Sequence, residues 1–252
     1  MALGINSAGN CSASAAFLRV TRSWKGRWRV TAVAAPEGEV EIRVCVNRTC
    51  GRQGSRETLA VLSAIAPPRI SVLSCGCLGR CGAGPNLAVI PPGALVGHCG
   101  TAAKAAKLLA ELCGPGFDGQ RNLEALALRK KAEDELEKGN AAEAEPLLTQ
   151  AIDLEPSGGL HFVYRSRASA RLAMGDNAGA LEDAKESSRL SPKYPQAYIC
   201  QGDVFLAMEE WDAAEKAYLT ALELDPSIRR SKSFKARVAK LQEKLVPSST
   251  SS

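Results

Sequence analysis

At 252 residues, with 45% hydrophobic and 23% charged side chains, the chain is long enough for one or two globular domains with cores of their own. Its longest uncharged apolar run, LAVIPPGALVG (residues 87–97), is broken by two prolines and two glycines. It falls short of the roughly 18–20 residues that span a bilayer, so the sequence predicts no integral membrane segment. The net charge of +5 points to nucleic acid only until it is located: Arg19, Arg22, Lys25, Arg27 and Arg29 all lie in residues 1–36, which contain no acid, and the remaining basic and acidic residues are equal in number.

The chain opens with MALGINSAGNCSASAA, uncharged and rich in Ser and Ala, and residues 29–37, RVTAVAAPE, offer small side chains to a processing protease. A secretory signal is disfavoured, because the basic residues follow the mildly apolar stretch instead of preceding it. Residues 1–36 resemble a chloroplast transit peptide cut near Val33–Ala35. That resemblance implies a disordered leader and a destination in the chloroplast stroma, with the mitochondrial matrix as the alternative.

Residues 37–113 alternate strand and helix patterns. EVEIRVCV (39–46) has β-branched alternation and predicts a strand, and SRETLAVLSAIA (55–66) predicts a helix with Leu59, Leu62 and Ile65 on one side. PRISVLSC, NLAVIPP and GALVGH predict three further strands, and TAAKAAKLLAELC a closing helix with Thr101 as N-cap. The order β-α-β-β-β-α makes a small α/β domain, after which residues 114–121, including GPGFDGQ, read as a linker.

Of nine cysteines, five crowd into two loops that follow predicted strands: CVNRTC with Cys45 and Cys50, and CGCLGRC with Cys75, Cys77 and Cys81. A disulfide framework belongs to small secreted domains. A thioredoxin-type dithiol uses Cys-x-x-Cys, a spacing no two cysteines have. Spacing alone leaves four-thiolate zinc and iron–sulfur comparable, and the interleaved glycines suit both by exposing backbone N–H groups to sulfur. A Rieske centre needs two histidines beside the cluster, and only His98 and His161 are present. Cys99, Cys113 and Cys200 read as packing thiols.

VCVNRTC followed by CGCLGRCGAGPNLAVIPP resembles the thioredoxin-like [2Fe-2S] ferredoxin family, over residues 39–113. The resemblance implies an α/β thioredoxin-like fold and a [2Fe-2S] cluster on Cys45, Cys50, Cys77 and Cys81, with Cys75 as an alternative ligand. It also implies a redox partner protein.

From residue 122 the composition turns to Ala, Glu, Leu and Lys with a period near 34 residues. Pro156, Pro192 and Pro226 align three segments, each with a small residue, Ala144, Ala180 or Ala214, twelve positions earlier. The turns KGNAAEA, MGDNAGA and MEEWDAA align as well. This pattern resembles the tetratricopeptide repeat family and implies an all-α helical-hairpin solenoid at residues 122–246. Its repeats would be 125–158, 161–194 and 195–228, followed by a capping helix and a disordered tail at 247–252. Such stacks bind a protein client in a groove, which Arg129 and Arg165 are expected to line. At the positions where one subclass clamps chaperone tails, this chain has Arg129, Glu133, Ser166, Gln196 and Cys200, and only Arg129 has the expected basic character.

Together the two resemblances imply a [2Fe-2S] protein with a protein-binding repeat domain, acting in plastid electron transfer or redox-sensitive assembly. It would be a carrier or adaptor and not a self-contained catalyst, since no Gly-x-Gly-x-x-Gly follows a strand. The alternatives are an accessory component serving a separate flavin or NAD subunit, and a zinc-stabilised scaffold. No nucleic-acid partner is expected.

Overall fold

A computed structural model describes residues 38–245 and, before them, two short strands, β1 (Arg19–Arg22) and β2 (Trp28–Thr31), paired antiparallel. The rest of the expected transit peptide and the expected tail lie outside the described residues.

Four strands follow, β3 (Val40–Cys45), β4 (Ile70–Cys75), β5 (Leu87–Ile90) and β6 (Ala94–Val96), in the sheet order β4-β3-β5-β6. β3 and β4 are parallel, with Val40 opposite Ile70 and Cys45 opposite Cys75, and the remaining pairs are antiparallel. A parallel pair needs a crossover, here α2 (Ser55–Ile65). Alternation along β3 buries Val40, Ile42 and Val44, while Glu41 and Arg43 face outward and pair with each other. Leu62 and Ile65 of α2 and Leu109 of α3 (Ala102–Cys113) complete this core. Thr101 caps α3 as predicted, its hydroxyl accepting the Lys104 N–H at 3.3 Å.

The order of elements in residues 39–113 matches the expectation, with two additions inside the cysteine loops: a single-turn helix, α1 (Arg48–Arg52), and a 3-10 turn at Cys81–Ala83. One residue of the expected linker is anchored. Phe117 is buried in the same core, and Asp118 caps α4 (Gly119–Glu137) by accepting the Arg121 N–H at 3.0 Å.

The chain then continues as α5 (Ala141–Asp153), α6 (Leu160–Ala173), α7 (Asn177–Leu190), α8 (Pro195–Ala207), α9 (Trp211–Leu224) and α10 (Lys232–Leu245). It is therefore mostly helical, with a small mixed sheet in its N-terminal part. Pro156, Pro192 and Pro226 each fall two or three residues past α5, α7 and α9, where a residue without an N–H cannot extend the helix. Ala144, Ala180 and Ala214 are fully buried where paired helices meet, as are Ala132, Ala151 and Ala170. The core between these helices is mainly alanine, which allows close approach.

The two halves meet at Gly158 and Gly159. A side-chain carbon on Gly158 would fall on the carbonyl oxygens of Ile65 and Ala66, and one on Gly159 on that of Ala64, at the C-terminal end of α2. Gly159 also has φ +74°, a backbone conformation that glycine adopts without penalty. Buried Asn122 fixes the joint: its Oδ1 accepts the Gly158 N–H at 3.1 Å and its Nδ2 donates to the Asp118 carbonyl at 2.7 Å.

Candidate functional site

Two places concentrate polar and reactive side chains: the cysteine loops at the end of the sheet and the face formed by α4, α6 and α8.

Because β3 and β4 are parallel and in register, their loops leave the sheet side by side. Asn47 starts α1 by accepting the Arg48 N–H at 2.6 Å on its side-chain oxygen, and α1 turns Cys50 inward until it is 2% exposed. Asn86, also buried, ties the loops together. Its Nδ2 donates to the Arg80 carbonyl at 2.7 Å and faces the Cys50 sulfur at 3.6 Å, while its carbonyl accepts the Cys45 N–H at 3.0 Å. Burial raises the Cys45 thiol, but hydrogen bonds from the Asn47 and Leu78 backbones and from Cys50 outweigh burial and hold it below its ordinary value.

Cys77 and Cys81 are exposed, with their sulfurs 3.7 Å apart, and the Gly79 N–H points at the Cys77 sulfur at 3.4 Å. The hydrogen bond between the two thiols, followed by the nearby Cys77 charge, raises Cys81. Cys75 is half-buried, and burial raises it.

The four expected ligands thus divide into a buried pair and an exposed pair. Cys45 and Cys50 direct their sulfurs to Asn47, Leu78 and Asn86. Among the described residues no group of three or more His, Cys, Asp or Glu side chains is placed to hold a metal ion. The expected [2Fe-2S] cofactor on Cys45, Cys50, Cys77 and Cys81 is corrected accordingly. Cys99, Cys113 and Cys200 are packing thiols, and burial pushes Cys99 and Cys200 up to about 11.

On the helical half, Glu133 of α4 is the hub. Its Oε1 accepts from Ser166 Oγ at 2.9 Å and from Arg165 at 3.4 Å, and lies 3.9 Å from Arg129 Nε, too far for a hydrogen bond. Two guanidiniums therefore share one carboxylate, and the buried Nε of each has no acceptor. Arg129 also lies over the Phe162 ring, 4.9 Å from its centroid, and Phe162 meets Tyr194 edge-on at 5.1 Å. His161 sits against the same rings, and burial, followed by the Arg129 charge, pushes it down to about 4.

Next along the face, Arg237 of the capping helix donates from Nε to both oxygens of Asp203 at 2.7 and 2.8 Å, and Tyr218 donates to the same group at 2.8 Å. Between these clusters lies a cleft of about 240 Å³ walled by α6, α8 and α10, with Arg165, Gln196 and Arg237 on its lining. Of the two expected groove residues, Arg165 lines the cleft, whereas Arg129 is largely buried against Phe162, and both lie near the one carboxylate of Glu133. Of the remaining clamp positions, Gln196 faces the cleft and Cys200 is buried.

A separate network lies between α5, α6 and α7. Asp183, 5% exposed, accepts two bonds from Arg167, at 2.8 and 2.9 Å, and pairs with Arg171 at 3.1 Å. Sequence reasoning missed Asp183, Arg237 and Asn86, because each acquires its partner from a distant segment.

The Tetratricopeptide repeat family model matches residues 129–195 and 165–228, the span that carries the paired helices and aligned prolines. Residues 129–228 are tetratricopeptide repeats. Over 105 residues the chain is 31% identical to Protein STIP1 homolog of Dictyostelium discoideum, covering 39% of this chain and 18% of that protein. It is 32% identical over 102 residues to Small glutamine-rich tetratricopeptide repeat-containing protein 2 of Mycosarcoma maydis, covering 40% and 28%. The chain thus spans less than a third of the length of these curated relatives. Among solved structures it is similar to the first TPR domain of the human RPAP3 protein, with 26% identity, a TM-score of 0.44, and coverage of 48% of this chain and 92% of that one. It is also similar to the first TPR of Spaghetti (RPAP3) bound to HSP90 peptide SRMEEVD, with 26% identity, a TM-score of 0.44, and coverage of 52% and 98%.

Proposed function

We propose that this chain is an adaptor that captures a partner protein by a short acidic peptide segment laid along the face of α4, α6 and α8. The observation that carries the reading is Arg165, which lines the cleft beside Gln196 and has Glu133 Oε1, at 3.4 Å, as its carboxylate partner. Glu137 lies at the exposed rim of the same face, where solvent screens it. A carboxylate from a ligand adds to the single oxygen, Glu133 Oε1, that faces both Arg129 and Arg165, and charge-assisted bonds to arginine are the strong ones. Gln196 offers an amide beside it for a peptide backbone. Since Glu133, Ser166 and Cys200 stand where a chaperone-tail clamp has other residues, Arg165 takes over the carboxylate.

Fluorescence anisotropy with labelled SRMEEVD, the acidic peptide of the Spaghetti complex, tests this. Binding is expected to weaken with salt and to fall at least about tenfold in Arg165→Ala, the scale of losing one interfacial arginine. Equal binding of a peptide with Gln and Asn in place of the acids would contradict the reading.

The order of strands and helices in residues 39–113 supports a thioredoxin-like domain as the companion of this adaptor. The acid-free composition of residues 1–36 supports a plastid setting. Imaging a fluorescent protein fused behind residues 1–36 in plant cells tests the second point, and diffuse cytosolic signal would count against it.

A further inference from the structure

The exposed sulfurs of Cys77 and Cys81 have no part in peptide capture, and they are close enough to react with each other. We infer that Cys77 and Cys81 form a redox-active dithiol that small disulfides of the glutathione class oxidise to an intramolecular disulfide.

Three observations carry this. The sulfurs are 3.7 Å apart in an exposed loop, and a disulfide needs about 2.05 Å. The loop has room to adjust, because a side-chain carbon on Gly76, Gly79 or Gly82 would meet nothing within 4 Å. The competing thiols are shielded: Cys45 is 1% and Cys50 2% exposed, and Cys75 is half-buried at the end of β4. A small oxidant therefore reaches the outer pair first.

Cys77, exposed and with the Gly79 N–H directed at its sulfur at 3.4 Å, is assigned the first attack. Its thiolate bonds to one sulfur of the small disulfide, the S–S bond of that molecule breaks, and the leaving thiolate takes up a proton. Cys81 then loses its proton, attacks the Cys77 sulfur of the mixed disulfide and expels the second small thiol. In sum, two protein thiols lose two electrons and two protons, and one small disulfide becomes two thiols. The departure from Cys-x-x-Cys spacing does not prevent this, because the loop between them, with Gly79 at φ +77°, brings the second sulfur back to the first.

The test equilibrates the full chain in buffers of graded reduced-to-oxidised glutathione ratio, quenches with acid, alkylates the remaining thiols and maps them by peptide mass spectrometry. Cys77 and Cys81 are expected to leave the alkylatable pool together, as one disulfide-linked peptide, while Cys45, Cys50 and Cys75 stay alkylated. In Cys81→Ser, a glutathione adduct should be trapped on Cys77. The inference is overturned if both thiols remain alkylatable at every ratio. Stable separate glutathione adducts on the unsubstituted chain, or pairing of Cys77 or Cys81 with Cys45 or Cys50, would overturn it equally. The unsubstituted chain alone decides the matter if the variant fails to fold.

Discussion

The sheet half and the repeat half solve the packing problem with different materials. Around the sheet, Val40, Ile42, Val44, Leu62, Ile65, Leu87 and Leu109 fill one core with large branched side chains. Between the repeat helices the buried residues are mostly alanines, such as Ala132, Ala144, Ala168, Ala184 and Ala214. Large side chains hold a sheet and its helices at a distance and supply hydrophobic burial in a few places. Small ones bring helices together, spread the stabilisation over many contacts and leave room on the outer faces for charge. In the repeats, polar networks such as Arg167–Asp183 and Arg129–Glu133–Arg165 therefore link neighbouring helices.

That contrast can be broken at its most buried charge. Asp183→Ala leaves Glu145, 3.1 Å from Arg171, as the one remaining carboxylate for Arg167 and Arg171, and is expected to cost about 3 kcal/mol in urea denaturation, confined to the repeat half. A loss below about 1 kcal/mol would show the network to be decoration. At the joint, Gly158→Val drives a side chain into the α2 carbonyls. It is expected to cost about 2–3 kcal/mol and to split one unfolding transition into two, as the halves uncouple. A single unshifted transition would mean that the halves do not depend on the glycines for their contact.

The smallest effect concerns pH. His161 titrates near 4 in the folded chain against an ordinary 6.5, so between these values the unfolded chain binds a proton that the folded chain refuses. Stability is full above about pH 6.5 and is lost as the pH falls toward about 4. The ring is only partly buried, so the loss is about 1 kcal/mol after allowance for solvent screening. His161→Phe keeps the ring contacts with Phe162 and Tyr194 and should remove that part of the pH slope, measured as the difference between the two proteins at pH 7.5 and 4.5.

How much of this was legible in the sequence depends on the range of the interaction. The repeat proline and the paired alanines are local features of period near 34 residues, and each hairpin carries its own copy of them, so the pattern alone locates the hairpins. The strand order was equally readable, because alternation is local to each strand. That each cysteine loop follows a strand was readable as well, but their lying side by side comes from the parallel pairing of those strands, which no local pattern shows. Their outcome was not readable, because it depends on Asn86, 36 residues from Cys50, and on the single helical turn that Asn47 starts. The burial of Phe117 was hidden for the same reason: GPGFDG has loop composition, but Phe117 joins the core that also holds Leu62 and Leu109. Gly158 and Gly159 look like an ordinary turn until the carbonyls at the end of α2 are seen beneath them.

The central claim, that the face of α4, α6 and α8 receives an acidic peptide, is tested most directly by titrating isotopically labelled protein with SRMEEVD and following backbone amide shifts. The account predicts the largest perturbations at Glu133, Arg165, Ser169 and Gln196, which line that face. Perturbations concentrated on α5, α7 and α9, or on the cysteine loops, would contradict it.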